Sequence, residues 1–145
     1  MAVLPDKWIR KAVFDRIHRL GVDFDGEEIT IPCYDTRVPE KGKNHYVLMT
    51  TQTNTEVPNK CGNGWLSSIL LDVVTRYPNN GNMGSRLLAD DIANEILTEL
   101  NDISLDAESG LVIQTKTIDF PNDISSLTES ENIFRKLIRY EFIIN

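Results

Sequence analysis

A chain of 145 residues fits one domain with a single sizeable core and is too short for two. With 41% hydrophobic and 26% charged residues, its composition argues against intrinsic disorder. The net charge of -7, from 15 basic and 22 acidic residues, opposes broad binding to nucleic-acid backbones or anionic lipid, and no apolar run approaches the roughly 18 residues of a membrane span.

The opening MAVLPDKW lacks the apolar stretch of a signal peptide, so a cytosolic chain is expected. Asp6 is placed to cap a helix predicted to run to about Leu20, with Trp8, Ile9, Ala12, Val13, Ile17 and Leu20 at helical spacing and Gly21 as its stop. Lys7, Arg10, Lys11, Arg16 and Arg19 scatter around the solvent side of that helix and read as a solvated face. DFDGEE, with Asp23, Asp25, Glu27 and Glu28, begins like a calcium loop but does not continue as one, and reads as an acidic surface turn. Ile29 to Tyr34 is a short predicted strand in which Pro32 favours an edge or a bulge, and the turn-rich DTRVPEKGKN follows.

His45 to about Thr53 and Trp65 to Tyr77 are rich in β-formers and are predicted as two long strands. Between them NTEVPNKCGNG is polar, with one proline and two glycines, and reads as the exposed tip of a large hairpin. A second helix is predicted from about Ser85 to Leu100, where Leu88, Ile92, Ile96 and Leu100 repeat every fourth residue and Ala89, Ala93 and Leu97 widen the stripe. Gly110 then opens a strand through LVIQTKTIDF, a polar connection NDISSLTESEN follows, and a last strand closes the chain. In that strand Phe134, Ile138, Tyr140, Phe142 and Ile144 alternate with Arg135, Arg139 and Glu141. The predicted order is α-β-β-β-α-β-β. It describes an α+β domain spanning residues 1–145, with an antiparallel or mixed sheet and two helices packed on one face.

Motifs for chemistry are absent. NNGNMGSR, from Asn79 to Arg86, follows a strand and precedes a helix as phosphate loops do, yet it matches neither GxxxxGK[ST] nor GxGxxG. Its residues have a plainer use: Pro78 ends the strand, Asn79, Asn80 and Gly81 tolerate positive φ, and Asn82 or Ser85 caps the helix. Cys33 and Cys61 lack CxxC spacing and are expected as reduced thiols, and neither has a local signature joining it to His18 or His45. Neither a catalytic group, a cofactor nor a metal is expected.

Ordered marks over about 130 residues resemble a known family. TRVPEKGKNHYVLM holds Val38-Pro39 and then His45-Tyr46-Val47, with histidine where that family commonly has proline. LLDVVTRYPNNG, the helix ADDIANEILTEL and the closing RKLIRYEFII follow in the same order. In this series the chain resembles the lambda-like tail-terminator and tail-completion (neck) proteins of tailed bacteriophages. The resemblance implies a virion protein at the junction of neck and tail, assembled in the host cytoplasm as a ring, a hexamer in most cases and twelvefold as the alternative. Its implied partners are further copies of itself, the tail tube protein and the portal or head connector, with genomic DNA passing through unbound and no membrane involved. The alternatives are a connector ring of another symmetry in a short-tailed phage, or a small cytosolic enzyme. Asn54, Glu56, Val57, Lys60 and Asn63 at the hairpin tip, with Arg135 and Arg139 on the last strand, are the candidate assembly contacts; the two arginines are expected at protein contacts or in cross-strand pairs with acidic neighbours.

Overall fold

The structure, a computed structural model, describes residues 4–39, 44–59, 62–78, 84–128 and 130–145. Their elements are α1 (Asp6–Ile17), β1 (Arg19–Phe24), β2 (Glu27–Asp35), β3 (His45–Asn59), β4 (Gly62–Pro78), α2 (Leu87–Glu99), β5 (Ile113–Asp119), β6 (Asp123–Leu127) and β7 (Glu131–Ile144), with a 3-10 turn at Ala107–Ser109. The class is α+β with a mixed sheet of seven strands. The order is α-β-β-β-β-α-β-β-β, so the sequence reading missed two strands.

The first of these lies in what was read as the end of helix one. α1 stops at Ile17, and from Arg19 onward burial alternates, with Leu20 and Val22 inside and Arg19, Gly21 and Asp23 outside. Leu20 fits both a helical stripe and a strand, whereas Val22 fits only the strand. Asp6 is the first helical residue and makes no side-chain cap; its carboxylate instead accepts from the Asn54 amide. DFDGEE is the corner of a tight hairpin, in which Asp25 (φ 52) and Gly26 (φ 79) both take the left-handed conformation between the paired Phe24 and Glu27. That geometry belongs to the two-residue turns for which Asp-Gly is a preferred sequence.

β2 pairs with β1 up to Pro32 and runs parallel to β3 from Cys33 to Asp35, so Pro32 stands where the strand changes partner. β3 pairs with β4 along its length, from His45↔Thr75 to Asn59↔Gly62, with one irregularity between Met49 and Gln52. β4 then pairs with β7 from Pro78↔Glu131 to Trp65↔Ile144. The other edge of β7 is shared: β5 takes the end near Ile144 and β6 takes the end near Asn132. β6 is the second missed strand and occupies part of the expected polar connection, in a stretch where only Ile124 is better than exposed.

The core forms where both helices meet the sheet. α1 buries Ile9, Val13 and Ile17, and α2 buries Leu88, Ile92 and Ile96 beside Ala89 and Ala93. They face Val47 and Met49 of β3, Ile69, Leu71 and Val73 of β4, and Ile138, Tyr140, Phe142 and Ile144 of β7. Burying each large aliphatic contributes about 1.5–3 kcal/mol, so this set is the main stabilising term. The expected packing of two helices side by side on one face is not matched as stated: α1 lies against β2, β3 and β4, and α2 reaches from the β1 edge to β4 and β7. At the start of α2, Ser85 Oγ accepts from the Leu87 amide at 2.9 Å, and Gly84 (φ 70) lies under the Tyr77 ring.

Candidate functional site

β3, β4 and β7 turn alternate side chains away from the helices, and no helix among the described residues covers that second face. Tyr46, Val74 and Arg135 form one row across it, and Leu48, Asp72 and Leu137 form the next. Asp72 is a carboxylate amid apolar neighbours and is only 3% exposed. Arg135 reaches it diagonally, with Nη2 2.6 Å from Oδ2. These bonds hold the Arg135 proton more tightly than usual, against the opposing effect of burial. At one end of the face Arg76 grips Glu131 through both Nε (3.1 Å) and Nη2 (2.6 Å). Tyr34 and Tyr46 tilt against each other beside these pairs, with ring centroids 5.7 Å apart.

Toward the opposite end the face becomes apolar. Leu66 and Ile143 are cross-strand partners, 42% and 44% exposed, flanked in register by Thr55 and Thr115. Past Trp65 no third strand among the described residues joins them, and β3 and β4 continue as a two-stranded arm carrying exposed Glu56, Val57 and Pro58. The arm corrects the expected loop: its described residues make ladder bonds, with Thr55 to Pro58 exposed and Gly64 buried opposite Val57.

The candidate contact residues separate accordingly. Glu56 and Val57 stand exposed on the arm. Asn54, by contrast, is half-buried and committed within the chain, donating to Asp6 and accepting from Ser67. Asn63 belongs to β4 opposite Pro58, its side chain lying outside the described set, and Lys60 lies wholly outside the described residues, as do Cys61, Gly81 and Asn82. Arg135 pairs with Asp72, and Arg139 pairs with its register partner Asp119 at 3.4 Å. The sequence reading did not single out Asp72, Leu66 or Ile143. A lone aspartate inside SSILLDVVTRY was the available signal, because a carboxylate in a buried strand needs a cation.

Among the described residues no three His, Cys, Asp or Glu side chains gather to hold a metal. Cys33 is buried, which pushes its thiol up to about 12 with help from the Asp35 charge. His45 packs at a tilt against Tyr77 and accepts from the Arg76 amide, and burial lowers its pKa. His18 stacks on Phe14 at the end of α1.

No family model matches the chain, and neither does any curated protein. Among solved structures 18 chains match. One of them belongs to a structure described as the virion of a native gene transfer agent particle. It is 14% identical, with a TM-score of 0.60, and the alignment covers 98% of this chain and 99% of that one. The two share a fold from end to end.

Proposed function

We propose that this chain is a non-enzymatic structural protein of a tailed-phage-like virion, assembling as a ring that ends the tail tube and joins it to the head connector. The observation that carries the reading is the shared fold, over nearly the full length of both chains, with a chain of a gene transfer agent virion. The sheet supports it. A face with an apolar end at Leu66 and Ile143, charges already neutralised by Asp72, Glu131 and Asp119, and a projecting arm is suited to contact with other protein surfaces. The net charge of -7 suits a channel through which DNA must slide without being held.

Native mass spectrometry and electron microscopy of the purified chain, alone and with tail tubes, test the reading. A hexameric ring seated on tube ends is expected. A twelve-copy ring redirects the assignment to a connector, and a strict monomer in both conditions overturns it.

A further inference from the structure

Two charged features lie at opposite ends of β2: among the described residues the acidic one has no ion-pair partner, and the basic one keeps a single unpaired cation, Lys7. At the β1–β2 turn Asp23, Asp25, Glu27 and Glu28 are all exposed, and among the described residues none has an ion-pair partner. At the other end of β2 a groove of about 370 Å³ is lined by Lys7, Arg10, Lys11, Phe14, Asp35 and Met49. Its one carboxylate, Asp35, lies 3.7 Å from Arg10, and Lys11 bonds Asp106 at 3.0 Å. Lys7 has no carboxylate partner among the described residues and rests over the Trp8 ring at 5.0 Å. Its walls are apolar as well as basic, because Phe14 is 38% exposed beside Met49.

We infer that the acidic β1–β2 turn of one copy docks in the Lys7 groove of the next, making the head-to-tail contact of the ring. This rests on the ring reading above and adds the surface that closes it. Charge complementarity selects the occupant: a compact acidic hairpin meets a groove with surplus positive charge. Distance makes the contact intermolecular. Glu27 and Asp35 are eight steps apart along a paired strand, about 26 Å at roughly 3.3 Å per residue, so the turn cannot reach its own groove. The turn is a two-residue corner and a Cβ added at Gly26 meets nothing within 4 Å, so no other described part of the chain covers its apex. Two different patches in contact form a heterologous interface, and such an interface generates a ring when its rotation closes.

The test is a charge swap followed by sedimentation velocity across protein concentration, in low and high salt. Lys7→Glu and Glu27→Lys should each raise the concentration needed for assembly by about tenfold or more, and high salt should weaken the wild-type ring in the same direction. The chain carrying both substitutions should assemble nearly as the wild type does, since every interface again pairs opposite charges. Both residues are exposed and have no ion-pair partner among the described residues, so circular dichroism should show all variants folded. A wild-type ring with single variants that assemble equally well, or with a double variant that fails to recover, overturns this contact while leaving the ring reading intact. A wild-type chain that stays monomeric at every concentration strikes the ring reading itself, and the docking with it.

Discussion

Arg135 of β7 closes over Asp72 of β4 with three bonds, Nε 3.3 Å from Oδ1 and 3.0 Å from Oδ2 and Nη2 2.6 Å from Oδ2, and the carboxylate beneath keeps only 4% of its side chain exposed. Removing the cation alone strands a desolvated charge. Arg135→Leu should cost about 2–3 kcal/mol in urea unfolding, below a fully buried pair because the arginine is partly in water and above an ordinary surface pair. Adding Asp72→Leu should recover most of that loss. A single-variant cost under about 0.5 kcal/mol would show that the carboxylate is not dependent on Arg135.

His45 supplies the acid limb of stability. Its Nδ1 accepts the Arg76 amide at 3.3 Å, and burial holds its folded pKa below the ordinary 6.5. The unfolded chain therefore binds this proton first as pH falls, so stability should decline below 6.5 and continue to fall through the depressed folded value. Urea midpoints compared at about pH 7.5 and about pH 5 should show the decline, and His45→Gln should flatten it. An unchanged slope in that variant assigns the acid sensitivity elsewhere.

Cys33 acts at the alkaline end. Its thiol rises from 9.0 to about 12 through burial, so between those values the folded chain keeps a proton that the unfolded chain has lost, and stability falls as pH rises through the window. At about pH 8 iodoacetamide should leave Cys33 unmodified in native protein and label it in urea, as read by peptide mass mapping. Rapid native labelling would contradict its enclosure.

Gly84 has φ 70, and a Cβ there would stand 2.2 Å from the Tyr77 ring. Gly84→Ala should cost about 2–3 kcal/mol and lower the melting temperature by roughly 5–10 °C, and Tyr77→Ala in the same chain should relieve the steric part. Unaltered melting would mean that the ring moves aside freely.

How much of this was legible depends on what each segment faces. α2 was readable because Leu88, Ile92, Ile96 and Leu100 all enter the core, and β7 because Ile138, Tyr140, Phe142 and Ile144 line one side of it. The arm and β6 carried no such pattern, since their described side chains are mostly exposed and little selects alternation. The β1–β2 corner did carry a signal in Asp25-Gly26, but it was masked by Leu20 continuing the spacing of Ile9, Val13 and Ile17. The two arginines were expected at protein contacts or in cross-strand pairs with acidic neighbours; within the chain they lie against Asp72 and Asp119, and naming those partners needed the register. The Lys7 groove was read only as a solvated helix side, because its walls come from α1, β2 and β3 together.

β7 pairs with β4, β5 and β6, and each of those strands precedes it in the chain. During synthesis the long edge of β4 therefore emerges well before its partner, with Ile69, Leu71 and Val73 still lacking the strand that completes their shelter. An unpaired, β-branched edge of that kind is a template for the wrong chain. A nascent polypeptide halted before Glu131 should thus be prone to aggregation, and yield in the cell should respond more to chaperone supply and growth temperature than the stability of the finished fold would suggest.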